Sequence, residues 1–252
     1  MDKDTAQNYK EKRLQNVWDK YIGPAYTEYK KQDDDASKKV PNYFVPDIKN
    51  CDKNEVKYII LVESPHTDEV NPKIKTEERY PLAGDSGKSV AKFLFGEDNA
   101  IGELMKNKDE KIPQMAIVNV CNVPLQLVHE ENNNDDKNTQ KANNKNTQKA
   151  INNVKKYRDF DKDLNYVRNN CKVIDELKEN LKERLKEYKK SNATIIVCGE
   201  FAKAYYYDIK NEKDFSNFKD LYVPHPSRNQ WEFIYKHKDD VSILKWLFEK
   251  KA

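Results

Sequence analysis

The sequence lacks the glycine that its most conspicuous loop would need to bind a nucleotide. The stretch "GDSGKS" (84–89) ends in Gly87-Lys88-Ser89, but a G-x-x-x-x-G-K-[ST] loop requires glycine at position 82, which is Leu82. The nearest upstream apolar run, "KYIILVE" (57–63), ends well before it, with prolines between. No tight strand-to-helix turn therefore aims successive backbone N–H groups at a phosphate. The G-x-S-x-G turn of α/β hydrolases is missing as well. Cysteine is scarce: Cys51, Cys121, Cys171 and Cys198 stand far apart with no C-x-x-C pair, a spacing that argues against zinc or an iron–sulfur cluster. Cys121 and Cys198 fall in apolar runs, where buried free thiols are ordinary. The opening "MDKDTAQNYKEKR" has no apolar h-region, and no run approaches the ~18 apolar residues of a membrane span. These absences lead us to expect a soluble, cytoplasmic chain with no membrane contact.

What is present is charge. The chain of 252 residues is 35% charged and 37% hydrophobic, and its apolar residues are gathered into short dense runs. The expected picture is a compact core within a charged shell, in one sizeable domain with decorations or two small ones. A net charge of +3 permits nucleic-acid binding without arguing for it.

Three runs, "YIILV" (58–62), "MAIVNV" (115–120) and "ATIIVCG" (193–199), are apolar without alternation, as strands covered on both faces are. A fourth, "DLYVPHPS" (220–227), ends in prolines. Helical patterns lie between them, at "GKSVAKFLFG" (87–96), "NAIGELMKN" (99–107), 171–190 and "EFAKAYYYD" (200–208). In the third of these, Ile174, Leu177, Leu181, Leu185 and Tyr188 form one stripe. A further helix is expected over 239–251. Strands alternating with helices predict a three-layer α/β/α domain with a central, mainly parallel four-stranded sheet over 51–252. A helical extension over 1–50 precedes it, with an extended, proline-punctuated connection at 39–51. A polar insertion at about 131–153, containing KNTQKA twice, has too few apolar residues to offset its ordering entropy.

Ligands of parallel sheets bind beyond the carboxyl ends of the strands. At those ends stand Glu63 in "ESPH", Asn119 and Asn122 in "VNVCN", a glycine turn in "CGEFA", and His225 in "VPHPS". Each has a plain structural reading: a turn cap, a satisfied buried amide, a rigid proline turn. Their convergence on one rim is what singles them out.

The ordered set E-S-P-H, Y-P-L-A-G-D-S-G-K-S-V, V-N-V, C-G-E-F-A and H-P-S resembles the uracil-DNA glycosylase superfamily. In motif pattern it is nearest the bacterial and archaeal members whose first motif is G-E-A-P-G. The resemblance spans about residues 57–231. It implies a uracil-DNA glycosylase-like fold and a monofunctional enzyme that flips a nucleotide out of DNA and hydrolyses its N-glycosidic bond. It implies Glu63 and His225 as catalytic groups, the one supporting positive charge on the sugar or orienting water, the other donating to the departing base. It makes Asn119 the reader of the base edge, with Leu82, Pro65 and His66 around the base. Ser86, Lys88 and Ser227 become phosphate contacts, Ser86 being equally readable as a helix N-cap. Arg228, Gln230 and Trp231 become stacking or wedge groups.

Departures from the pattern point to an altered pocket. Leu82 stands where relatives carry an aromatic platform, and Tyr80 is a possible substitute for it. His66 stands where they carry glycine, and the cluster-binding cysteines are absent, so no cofactor is implied. The base is therefore open among uracil and other damaged or modified bases. The alternative reading is a catalytically silent protein that binds DNA or a modified base on the same fold.

Overall fold

The structure, a computed structural model, describes residues 44–70, 75, 78–122, 124–125, 172–227 and 230–231. The expected helical extension before residue 44, the 131–153 insertion and the 239–251 helix lie outside the described residues.

The sheet has five strands in the order β1-β3-β2-β4-β5. They are β1 (Ile48–Lys49), β2 (Tyr58–Val62), β3 (Met115–Asn119), β4 (Thr194–Cys198) and β5 (Lys219–Val223). Strands β2 to β5 run parallel, and β1 pairs antiparallel with β3. The sheet is thus α/β and mostly parallel, with one strand more than the four expected. Two residues are too few to show a period, so β1 read as part of an extended connection. Strand β5 stops at Val223 because Pro224 has no N–H to continue a ladder.

Every residue of β2 and of β3 is buried, because helices cover both faces. Tyr58, Ile60 and Val62 pack with residues of α1 (Asp85–Phe95) and α2 (Ile101–Lys106). Ile59 and Leu61 pack on the opposite face with α3 (Lys172–Lys186) and α4 (Gly199–Ile209). The α3 stripe is the expected one: Ile174, Leu177, Leu181 and Leu185 are all essentially inaccessible, and Tyr188 nearly so. Each such aliphatic side chain contributes roughly 1.5–3 kcal/mol by leaving water. Helix α1 ends where Gly96 turns left-handed at φ 73°, its N–H and that of Glu97 returning to Lys92 and Ala91.

Among the described residues, no helix is long and apolar enough to cross a membrane. Nor does any group of three His, Cys, Asp or Glu stand where it could hold a metal ion.

Candidate functional site

The parallel register puts the sequence-predicted residues in a row at the carboxyl ends of the strands. Asn119 is the last residue of β3 and pairs with Val62, the last of β2. Glu63 follows at once, half-buried, its carbonyl accepting the Cys121 N–H at 3.1 Å. Three strand spacings, about 14 Å, separate the β3 and β5 ends of this rim.

Asn119 is 1% exposed, yet neither its side-chain oxygen nor its side-chain nitrogen has a hydrogen-bond partner. An unmade bond on a buried amide costs about 1–3 kcal/mol, and native proteins rarely leave one so. The main chain around it is the opposite, fully engaged. Asp47 Oδ1 accepts the Asn119 N–H at 3.2 Å and the Asn122 side-chain amide at 2.9 Å. Arg184 Nη1 donates to Asp47 Oδ2 at 2.7 Å and to the Asn119 carbonyl at 2.8 Å, while Nη2 donates to the Val120 carbonyl at 3.0 Å. The Asn122 amide also donates to the Val45 carbonyl at 2.8 Å. Asn122 thus joins segments of backbone, whereas Asn119 has its amide to spare.

The 80–84 loop is seated by two glycines. A Cβ on Gly87 would lie 1.8 Å from the Leu82 carbonyl oxygen, and one on Gly102 would lie 2.2 Å from that of Pro81. The close approach lets Gly102 N–H donate to the Leu82 carbonyl at 3.3 Å. Leu82 itself is left-handed at φ 55°, a conformation that leucine adopts only under constraint. Its side chain is 6% exposed and packs with the α1 and α2 cluster. The side chain expected to lie against a base is thus a wall of the core. Tyr80 does not replace it as a bare ring, since Lys106 Nζ sits 5.2 Å from its centroid.

A carboxylate that the motif reading passed over ties this loop to "ESPH". Glu69, in the short helix Thr67–Val70, accepts the Ala83 N–H at 3.3 Å, while its second oxygen is buried without a partner. Burial pushes its carboxyl up to about 7, against the opposing pull of backbone donors from Ala83, His66, Gly84 and Leu82. Within "ESPH", Pro65 is buried and His66 exposed. Helix α1 begins at Asp85 with Gly84 as N-cap and no side-chain cap, so Ser86 is not the cap. Ser86 is half-buried and Lys88 exposed in the first turn.

At the other end of the rim, Gly199 turns left-handed at φ 84°, and a Cβ there would come within 3.0 Å of His225 Cβ. Only glycine lets His225 rest on the end of β4. The Ser227 N–H donates to His225 Nδ1 at 3.2 Å. That bond assigns the neutral ring's own proton to Nε2. Ser227 is half-buried, Gln230 is exposed and Arg228 lies outside the described residues.

Trp231 overturns its expectation. It is 0% exposed, its indole N–H donates to the Pro224 carbonyl at 2.6 Å, and its ring meets Phe93 edge-on at 6.0 Å. It is a core group that braces the P-H-P-S turn, and it offers no surface to stack on or wedge into DNA. The apolar character that suggested a wedge serves burial instead.

No protein-family model matches the chain, and no curated protein matches its sequence.

Proposed function

We propose that the protein is a DNA-base glycosylase of the uracil-DNA glycosylase type, hydrolysing the N-glycosidic bond of a flipped, damaged or modified base. The observation that carries this reading is Asn119: a buried carboxamide with both donor and acceptor unspent, on the strand-end rim beside Glu63. A nucleobase edge offers the complementary acceptor and donor, and pairing with it would recover the cost of the unmade bonds.

In this reading the base leaves with the electron pair of the N-glycosidic bond, and the sugar passes through an oxocarbenium-like state. Glu63 stabilises that positive charge or orients the water whose oxygen joins C1′ and whose proton is released. His225, with its proton on Nε2, donates to the oxygen on which the departing base carries negative charge. Ser86, Lys88 and Ser227 supply phosphate contacts from the α1 N-terminus and the P-H-P-S turn, with exposed Gln230 toward the duplex.

The buried Leu82 and Trp231 favour a second reading, a silent binder of DNA or a modified base, because neither a platform for an extruded base at position 82 nor a wedge at position 231 is exposed. One assay separates the two. Oligonucleotides carrying a single uracil, hypoxanthine, xanthine or 5-hydroxymethyluracil, single-stranded and paired, are incubated with the protein and treated with alkali to cut abasic sites. We expect one substrate to be cleaved, turnover to vanish in Glu63→Gln with binding retained, and His225→Ala to raise the barrier by about 2–4 kcal/mol. Full activity in Glu63→Gln would remove the carboxylate from the mechanism. Retained DNA binding with no cleavage of any substrate would favour the silent binder.

A further inference from the structure

We propose that Asp47 and Arg184 are positioning residues that aim the Asn119 carboxamide by fixing its peptide group. The functional consequence rests on the glycosylase-type reading of the rim, but the positioning itself does not. The argument begins with what Asn119 lacks. Its side chain makes no hydrogen bond, so its direction is set by its backbone and by packing alone. That backbone lies where the ladder gives out, since β1 pairs with β3 only at Ile48 and Lys49 and ends one residue short of Asp47. The Asp47 carboxylate takes over from the missing strand and accepts the Asn119 N–H. Arg184, from the far end of α3, closes the other side by holding the Asn119 and Val120 carbonyls on two prongs of one planar group. Its Nε donates to Asn180 Oδ1 at 2.8 Å, so the fork is itself locked on its helix.

A simpler chain would extend β1 by two pairs, with a residue other than Pro46 opposite Asn119, and need no charges here. Desolvating an ion pair is costly enough that apolar replacements often stabilise a fold. Asp47 and Arg184 are 14% and 15% exposed, so much of that cost is incurred. What a planar, doubly bonded clamp adds over a ladder bond is accuracy, and sites need their groups held to within about 0.5 Å.

The test uses the full chain and two mild variants, Arg184→Lys, which keeps the charge and loses the fork, and Asp47→Asn. Lys182→Met serves as control, since it removes a charge from the same helix that, among the described residues, pairs with Glu179 and Glu212. Amide hydrogen exchange at Asn119 and Val120 is read first and needs no substrate. Both variants should exchange there at least about tenfold faster, with α1 and the control unchanged. In the excision assay, the ratio of kcat/KM for the preferred base to that for the next best should fall about tenfold, with excision still dependent on Glu63. Unchanged exchange at Asn119 in both variants overturns the clamp, whatever the assay shows. Faster exchange with unaltered base discrimination overturns its role in aiming the amide. Faster exchange in a protein that excises no base leaves the clamp standing and sinks the glycosylase reading.

Discussion

At the β3 end of the rim, the Asn119 peptide is gripped by an ion pair whose members lie 72 and 65 residues away in sequence. At the β4–β5 end, His225 rests on Gly199, and its ring is oriented by Ser227, two residues further on. One half of the site is held by charged side chains brought together from distant segments, the other by backbone shape written into short motifs. The first kind of support depends on both charged partners being present. The second depends on the absence of a Cβ at Gly199 and on prolines.

That contrast can be broken most forcefully at Asp47. Asp47→Ala leaves the Arg184 charge half-buried without its carboxylate and the Asn119 N–H without an acceptor. We expect a loss of about 3–5 kcal/mol in urea unfolding. A loss below about 0.5 kcal/mol would mean that the pair is ornamental and the two halves are held alike.

The next effect is on pH. Glu69 supports the 80–84 loop by accepting the Ala83 N–H, and its carboxyl is raised from 4.5 to about 7. A raised carboxyl stabilises the fold below the unfolded value, where both states hold the proton, and that contribution is lost as pH rises through about 7. Stability should therefore fall between about pH 4.5 and 7.5, by up to about 3 kcal/mol from this group. Glu69→Gln should flatten that slope in melts across the range. An unaltered slope would show that the proton sits elsewhere.

A smaller effect is expected at the backbone half. Gly199→Ala forces alanine into a left-handed turn against His225 and should cost about 1–2 kcal/mol. Its signature is a loss of stability together with slower turnover in the excision assay, while amide exchange at Asn119 stays as it is. A change at Asn119 of the same size would mean that the two halves are mechanically one.

The same contrast explains what could be read in the sequence. The parallel strands, the α3 stripe and the strand-end places of Glu63, Asn119 and His225 follow from apolar runs and from motifs a few residues long. The grip of Asp47 and Arg184 does not, because nothing local marks a charged residue on a surface helix as the partner of a strand end. Strand β1 was hidden for a related reason, since two residues carry no period and borrow their structure from β3. Glu69 lies close to "ESPH", yet the burial that raises its carboxyl arises only when distant segments fold around it. The expectation for Trp231 failed because a tryptophan beside a P-H-P-S turn looks the same in sequence whether it points outward or, as here, inward to Phe93 and Pro224. Leu82 carries the same lesson, since its position in the loop was legible but its left-handed, buried conformation was set by Gly87 and Gly102.

The central claim is that Asn119 keeps a buried amide unpaired for a ligand, at the expense of the fold. The most direct test is the unfolding free energy of Asn119→Leu, a near-isosteric change, measured beside its excision and binding activity. We predict a variant about 1–3 kcal/mol more stable than the parent, with Tm raised by roughly 2–4 °C for each of those kcal/mol, and unable to process any base. A destabilised variant would contradict the account, because it would mean that the Asn119 amide already serves the fold.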